Sequence, residues 1–312
     1  MSINIFLFAI GAALLYYGAD FLITGSQKLA SKFKISPIVV GITLVAFGTS
    51  LPELIVSIIA ILRDQSGIVV GNIVGSNIAN IGLVLGITSI FSPIFFSFNK
   101  IRFDLYFLGF ITFLPLIFIY LGDLVFWQGI FFLLLLFGYC WFLYKKDKES
   151  DEQKEIQNVG SPFPIALKII FGVVGLGFGA HYFVLGAQGI ANTLKVPPLV
   201  IGMSIVALGT SLPELAASIV AAKHNETGFI IGNIIGSNIM NIIVVLGFTL
   251  LIRPISVEFS DVVIQGIFML ILTMGLYFLL KYKGGVTKFS AGILILIYGL
   301  FLYYNFQNRL VL

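Results

Sequence analysis

The chain runs to 312 residues, 59% of them apolar and only 10% charged, whereas soluble domains carry roughly 25% charged residues. That is too little polar surface to solvate a globule in water, which excludes a soluble enzyme or binding module. The net charge of +4 is no nucleic-acid signature, because the basic residues follow a topology and form no patch.

A bilayer core about 30 Å thick takes about 20 apolar residues to cross as a helix. The sequence predicts spans at about 3–24, 37–62, 68–92, 104–121 and 125–144, then at about 165–187, 197–222, 228–252, 259–280 and 289–306. These continuous runs argue against a transmembrane barrel, whose strands are short and alternating. The prediction is an all-α integral membrane protein of ten transmembrane helices. Residues 1–24 lack a basic leading segment and are read as the first helix, not a cleaved signal. Cys140 is the only cysteine, which excludes an intramolecular disulfide framework. A polar, charge-dense stretch, Lys145–Ser161, joins the fifth and sixth spans. The chain therefore divides into 1–144, a linker 145–163 and 164–312. With the N-terminus outside, only Arg63, Lys195, Arg253 and Arg309 of the 18 basic residues fall on the outer side. By the positive-inside rule both termini lie outside the plasma (inner) membrane and the central loop is cytoplasmic.

The chain contains itself twice at a constant offset. Gly41–Leu54 reads GITLVAFGTSLPEL and Gly202–Leu215 reads GMSIVALGTSLPEL; Gly71–Asn80 is GNIVGSNIAN and Gly232–Asn241 is GNIIGSNIMN. The register extends through Gly11/Gly172, Gly18/Gly179, Gly25/Gly186 and Pro93/Pro254 without a gap. Five spans per half is an odd number, so the second half enters the membrane from the opposite face. Two inverted five-helix repeats result, an arrangement that lets transporters alternate access by exchanging the conformations of the halves.

Of the 14 carboxylates, nearly all fall at helix ends or in loops; Glu53 and Glu214 lie near the middle of apolar spans. No Lys or Arg sits at matching depth, so a buried ion pair explains them poorly. Intramembrane carboxylates of this kind line cavities and bind cargo. Pro52 and Pro213 precede them and break the helix, depriving the carbonyls of Gly48 and Gly209 of their donors. Mid-membrane breaks are tolerated where freed carbonyls face a cavity or an ion. Thr49, Ser50, Thr210 and Ser211 add hydroxyls in the same turn. On the next helix, Asn72, Ser76 and Asn80 recur at spacing four, as do Asn233, Ser237 and Asn241, each set on one face. Ser76, Asn80, Ser237 and Asn241 can supply oxygens to the site. Asn77 and Asn238 point elsewhere and read equally well as interhelical glue, while Gly71/Gly75, Gly82/Gly86 and Gly232/Gly236 permit close helix approach. The donor set is all oxygen, which suits hard cations such as Ca2+, and the want of a His/Cys cluster argues against Zn2+ or Cu. The same oxygens can hold monovalent ions or protons, and two carboxylates in a partly dehydrated cavity resist being charged together. Protons are therefore expected to compete with Ca2+. No resident cofactor and no obligate protein partner are expected; the partners are ions and the lipid bilayer.

GTSLPEL in both halves, each followed by GNxxGSNxxN, resembles the α-repeats of the Ca2+:cation antiporter superfamily, which includes the Na+/Ca2+ exchangers. The resemblance covers essentially the whole chain. It implies electrogenic exchange of Na+ for Ca2+ at a site of Glu53, Glu214, Thr49, Ser50, Thr210, Ser211, Ser76, Ser237, Asn80 and Asn241, with backbone carbonyls near Ala46 and Ala207. The chain departs from many Na+/Ca2+-exchanging members at Asn241, where they carry Asp. One potential negative charge fewer leaves Na+, H+ or both open as the coupling ion, and another divalent cargo open as well. A passive channel would place its filter on a symmetry axis between subunits, which inverted repeats do not favour. An intramembrane protease would need a second membrane Asp beside Asp20, or a Ser–His pair that His181 and His224 are not placed to make. Asp20 and its repeat partner His181 are read as satisfied polar residues near the interface before being read as gates.

Overall fold

The structure is a computed structural model that describes residues 1–148, 161–194 and 207–310. It is all-helical apart from two-residue strands. The long helices are α1 (Ser2–Phe33), α2 (Pro37–Thr49), α3 (Leu51–Leu62), α4 (Ser66–Phe91), α5 (Phe98–Leu121), α6 (Phe126–Lys148), α7 (Pro162–Thr193), α8 (Leu212–Lys223), α9 (Thr227–Ile252), α10 (Phe259–Lys283) and α11 (Lys288–Leu310). Among the described residues, eight helices are long and apolar enough to cross a membrane, and α2 with α3, bent by 44°, makes a ninth. The span expected at 197–222 is described only from its helical turn Ala207–Gly209 onward, and residues 197–206 lie outside the described residues. So do Lys154 and most of the expected linker. At the linker's edges α6 runs through Lys148 and α7 starts at Pro162, where the Phe163 amide donates to the Ser161 hydroxyl at 3.4 Å.

Two helices are longer than hydropathy foretells. α1 and α7 each have 32 residues, about 48 Å of helix, against a hydrocarbon core of about 30 Å. Their last turns carry Lys, Ser and Asn and continue past the apolar run because the two helices pack on each other along their length. The packing is antiparallel: Gly11 faces Phe183, Gly18 faces Leu176 and Gly25 faces Ile169. A Cβ at Gly18 would stand 2.7 Å from the Leu176 nitrogen, so only glycine lets the backbones meet.

α4 and α9 form the centre. In their most apolar stretches 72% and 89% of residues are buried, against 22–39% for the other single-helix spans. α9 packs on α2 through Gly232, where a Cβ would lie 2.8 Å from the Ile38 carbonyl oxygen, and through Gly236 beside Ala46. Gly82 and Gly86 likewise receive Tyr298 and Ile295 of α11. A Cβ built at Gly71 or Gly75 would meet no described neighbour within 4 Å beyond its own helix backbone; the repeat counterparts of α2 lie largely outside the described residues. The outer helices turn large apolar side chains outward, Phe137, Trp141 and Phe289 among them, as a lipid-facing surface requires.

The halves are stitched at both ends of the bundle. Strand β1 (Ile94–Phe95) pairs antiparallel with β2 (Gly285–Val286), Ile94 opposite Val286. Leu124 and Ile255 exchange two backbone hydrogen bonds of 3.0 and 2.8 Å. The first pairing sits before the start of α5 and the second after its end, about 36 Å away by helix rise. Each joins one half to the other.

Candidate functional site

The TSLPE segments end one helix and start the next across one residue in the first half, Ser50, and across two in the second, Thr210 and Ser211. Ser50 and Ser211 share the same backbone conformation, φ −85° and ψ 4°, and Pro52 and Pro213 sit in the first turns of α3 and α8. Glu53 and Glu214 therefore stand at the third position of helices that begin inside the bundle. A helix N-terminus carries partial positive charge from its unpaired N–H groups, and a carboxylate there offsets a field that would otherwise repel a cation. The pattern Ser-x-x-Glu also reads as a capping box, yet neither helix has a side-chain cap. Ser50 Oγ donates instead across the half boundary to Glu214 Oε1 at 3.3 Å, and Ser211 Oγ has no partner among the described residues.

Glu53, Glu214, Ser237, Asn80, Asn241 and Thr49 are all fully buried, with Ser50, Ser76 and Ser211 nearly so. Among the described residues, both Glu53 oxygens, Glu214 Oε2 and both amide atoms of Asn80 and of Asn241 have no hydrogen-bond partner. Buried polar atoms are nearly always paired, so unpaired atoms on two carboxylates and two amides mark a place prepared for something else. The two carboxylates lie within electrostatic reach of one another. Thr210 is half-buried beside them. The Ala46 carbonyl oxygen accepts from the Ser50 amide at 3.0 Å and has the Thr49 hydroxyl within reach at 3.2 Å. Ala207 opens the short helical turn ahead of Thr210.

Two other buried carboxylates show the contrast, and the sequence did not announce them as buried. Asp104 on α5 accepts from the Tyr139 hydroxyl at 2.7 Å and from Lys146 Nζ at 3.4 Å. Asp147 accepts from the Ser36 amide at 3.2 and 3.3 Å. Both are paired where the chain needs tying together, so they are structural.

Asn72 and Asn233, seen in the sequence only as members of a polar face, make a matched clamp. Asn72 Nδ2 donates to the Glu53 carbonyl oxygen at 3.0 Å and to Ser57 Oγ at 2.9 Å. Asn233 Nδ2 donates to the Glu214 carbonyl oxygen at 3.3 Å and to Ser218 Oγ at 3.1 Å. Spacing alone puts these residues on the right face but says nothing of which backbone groups they reach. Asn77 and Asn238 correct the expectation of interhelical glue: each donates to the carbonyl four residues back in its own helix, at 2.7 Å. A short amide side chain can reach the carbonyl one turn back, which competes with bonding to a neighbouring helix.

α4 and α9 each widen into a π-helical turn starting at the site asparagine, Asn80–Leu85 and Asn241–Val245, and α2 holds a third at Gly41–Val45. Such turns redirect side chains and are frequent at functional sites; no residue pattern announced them. Asp20 does not meet His181. It pairs with His224 Nε2 at 3.0 Å, so His224, which the sequence left without a role, ties α1 to the loop after α8.

A family model described as sodium/calcium exchanger protein matches residues 3–145 and again 165–307. An uncharacterized membrane protein of Methanocaldococcus jannaschii is 39% identical, over 88% of this chain and 89% of its own. The sodium/calcium exchanger MaX1 of Methanosarcina acetivorans is 29% identical over 97% and 98%. Among solved structures, the sodium-calcium exchanger NCX_Mj superimposes with a TM-score of 0.84 at 34% identity, covering 96% of this chain and 98% of that one. With both halves matched and the fold shared end to end, the chain belongs to the sodium/calcium exchanger protein family.

Proposed function

We propose that this protein is a secondary antiporter that exchanges Ca2+ for Na+ by alternating access at a mid-membrane site built on Glu53 and Glu214. One observation carries the reading: two repeat-related carboxylates, buried at helix starts, keep oxygens with no partner among hydroxyl and amide oxygens of both halves. Two carboxylates neutralise one Ca2+, and a flexible all-oxygen set suits that ion better than Mg2+, which wants a tight octahedron. Na+ competing for the same oxygens couples the two fluxes. The remaining liganding oxygens come from Thr49, Ser50, Thr210, Ser211, Ser76, Ser237, Asn80 and Asn241, with the Ala46 and Ala207 carbonyls.

The architecture that goes with this reading is ten spans in two inverted repeats, 1–144 and 164–312, joined by a cytoplasmic linker. Both termini lie outside the plasma membrane. The antiparallel packing of α1 on α7, which occupy equivalent places in the two repeats, supports the inversion. Asn241 keeps a second coupling ion in view, because a site with two carboxylates can also exchange Ca2+ for protons.

The test is uptake of labelled Ca2+ into proteoliposomes loaded with Na+ and diluted into Na+-free buffer. Uptake that needs internal Na+ and vanishes in Glu53→Gln and in Glu214→Gln is the expected result. Uptake driven only by a pH gradient would make the protein a Ca2+/H+ antiporter, and uptake needing neither gradient would overturn exchange.

A further inference from the structure

We infer that Asn233 is a positioning residue of the ion site, which holds the hydroxyl protons of Thr49 and Ser237 so that their lone pairs are left for a cation. The inference rests on the exchange reading above and extends it to a residue that lies outside the expected ligand set.

A hydroxyl has one proton and two lone pairs, and it can face a cation only if the proton points elsewhere. Thr49 Oγ1 has two carbonyl-type acceptors within reach, Asn233 Oδ1 at 3.1 Å and the Ala46 carbonyl oxygen at 3.2 Å. Ser237 Oγ lies 3.4 Å from the same Asn233 Oδ1 and 3.2 Å from Thr49 Oγ1. An amide oxygen has two lone pairs, so Asn233 accepts both protons. The proton of Thr49 then leaves the Ala46 carbonyl with the Ser50 amide as its one donor.

Asn233 cannot turn over to present its NH2 instead. Its Nδ2 is committed to the Glu214 carbonyl oxygen and Ser218 Oγ, and a flip would set two carbonyl oxygens against each other. The side chain is 1% exposed, which makes it more enclosed than its repeat mate Asn72. Thr49 belongs to the first half and Asn233 to the second, so the orientation of one half's hydroxyl is fixed by the other half.

The experiment measures Ca2+ affinity by calorimetric titration of the purified full chain in Na+-free detergent buffer, with thermal unfolding as the check on fold. Asn233→Ala is expected to weaken Ca2+ binding about 10-fold, the size seen when a group orienting a metal ligand is removed. In a background carrying Thr49→Val and Ser237→Ala, where both hydroxyls are already gone, the same change is expected to cost under about 2-fold, because it acts through them. A loss of about 10-fold in both backgrounds would overturn the inference. Asn233→Leu, which nearly keeps the volume, replaces Asn233→Ala if the latter does not fold; failure of both to fold would assign Asn233 to the scaffold and equally overturn it. A wild-type protein that neither binds Ca2+ nor shows Na+-dependent uptake would instead sink the exchange reading.

Discussion

Three carboxylate oxygens without partners among the described residues, two on Glu53 and one on Glu214, stand out at the scale of single residues. Glu→Gln at either position keeps the shape and removes one charge, and is expected to reduce Ca2+ uptake to background while the protein still folds, which size-exclusion profiles and thermal unfolding would verify. Protonation does the same thing reversibly. On the proposed reading each proton taken by Glu53 or Glu214 would remove a negative charge and a liganding oxygen, so Ca2+ affinity is expected to fall as pH falls. Titrations from about pH 8 down to about pH 4, just below the ordinary glutamate value of about 4.3, should show a rising apparent Kd; a flat profile would contradict competition at these groups. Asn241→Asp adds a third carboxylate to the cavity and is expected to tighten Ca2+ binding at high pH and steepen its loss on acidification. An unchanged affinity at all pH values would place Asn241 outside the field of the ion.

The elements make the site by breaking. Pro52 lacks an N–H, so α2 and α3 meet at 44° and Glu53 sits at a helix start instead of mid-helix. Pro52→Ala restores the missing donor to the Gly48 carbonyl, and is expected to lower exchange about tenfold or more, as loosened ligand support does, with helix content by circular dichroism unchanged. Gly18→Leu tests the α1–α7 seam: its Cβ would press on the Leu176 backbone, and overpacking of this kind costs about 1–3 kcal/mol, read as a lowered Tm. Much of this level was legible in the sequence. The apolar runs placed the helices, the duplicated TSLPE placed the breaks, and depth in the membrane singled out Glu53 and Glu214 because hydrocarbon penalises a stray charge. What stayed illegible depends on a partner far along the chain. The polar last turns of α1 and α7 persist only because each packs on the other. Asp20 is satisfied by His224, 204 positions away. The reach of Asn233 to Thr49 depends on how the halves nest, which no local pattern encodes.

At the scale of the whole molecule, the halves hold each other. β1 takes its partner from the second half and Ile255 from the first; Asp64 and Arg253 pair across the boundary, as do Asp20 and His224, and Ser50 crosses it to reach Glu214. α2 packs into the glycine groove of α9. Neither half is therefore complete by itself, which bears on biogenesis. Synthesis proceeds at about 5–20 residues per second, so the first half waits about 10–30 seconds in the bilayer before the second has been made. Through that interval β1 has an unpaired edge, and Glu53, Asn72 and Asn80 face lipid or one another without the helices that later enclose them. A first half expressed alone is thus expected to be degraded faster than the full chain, which pulse-chase labelling would measure. In the growing chain its survival depends on how quickly the rest arrives.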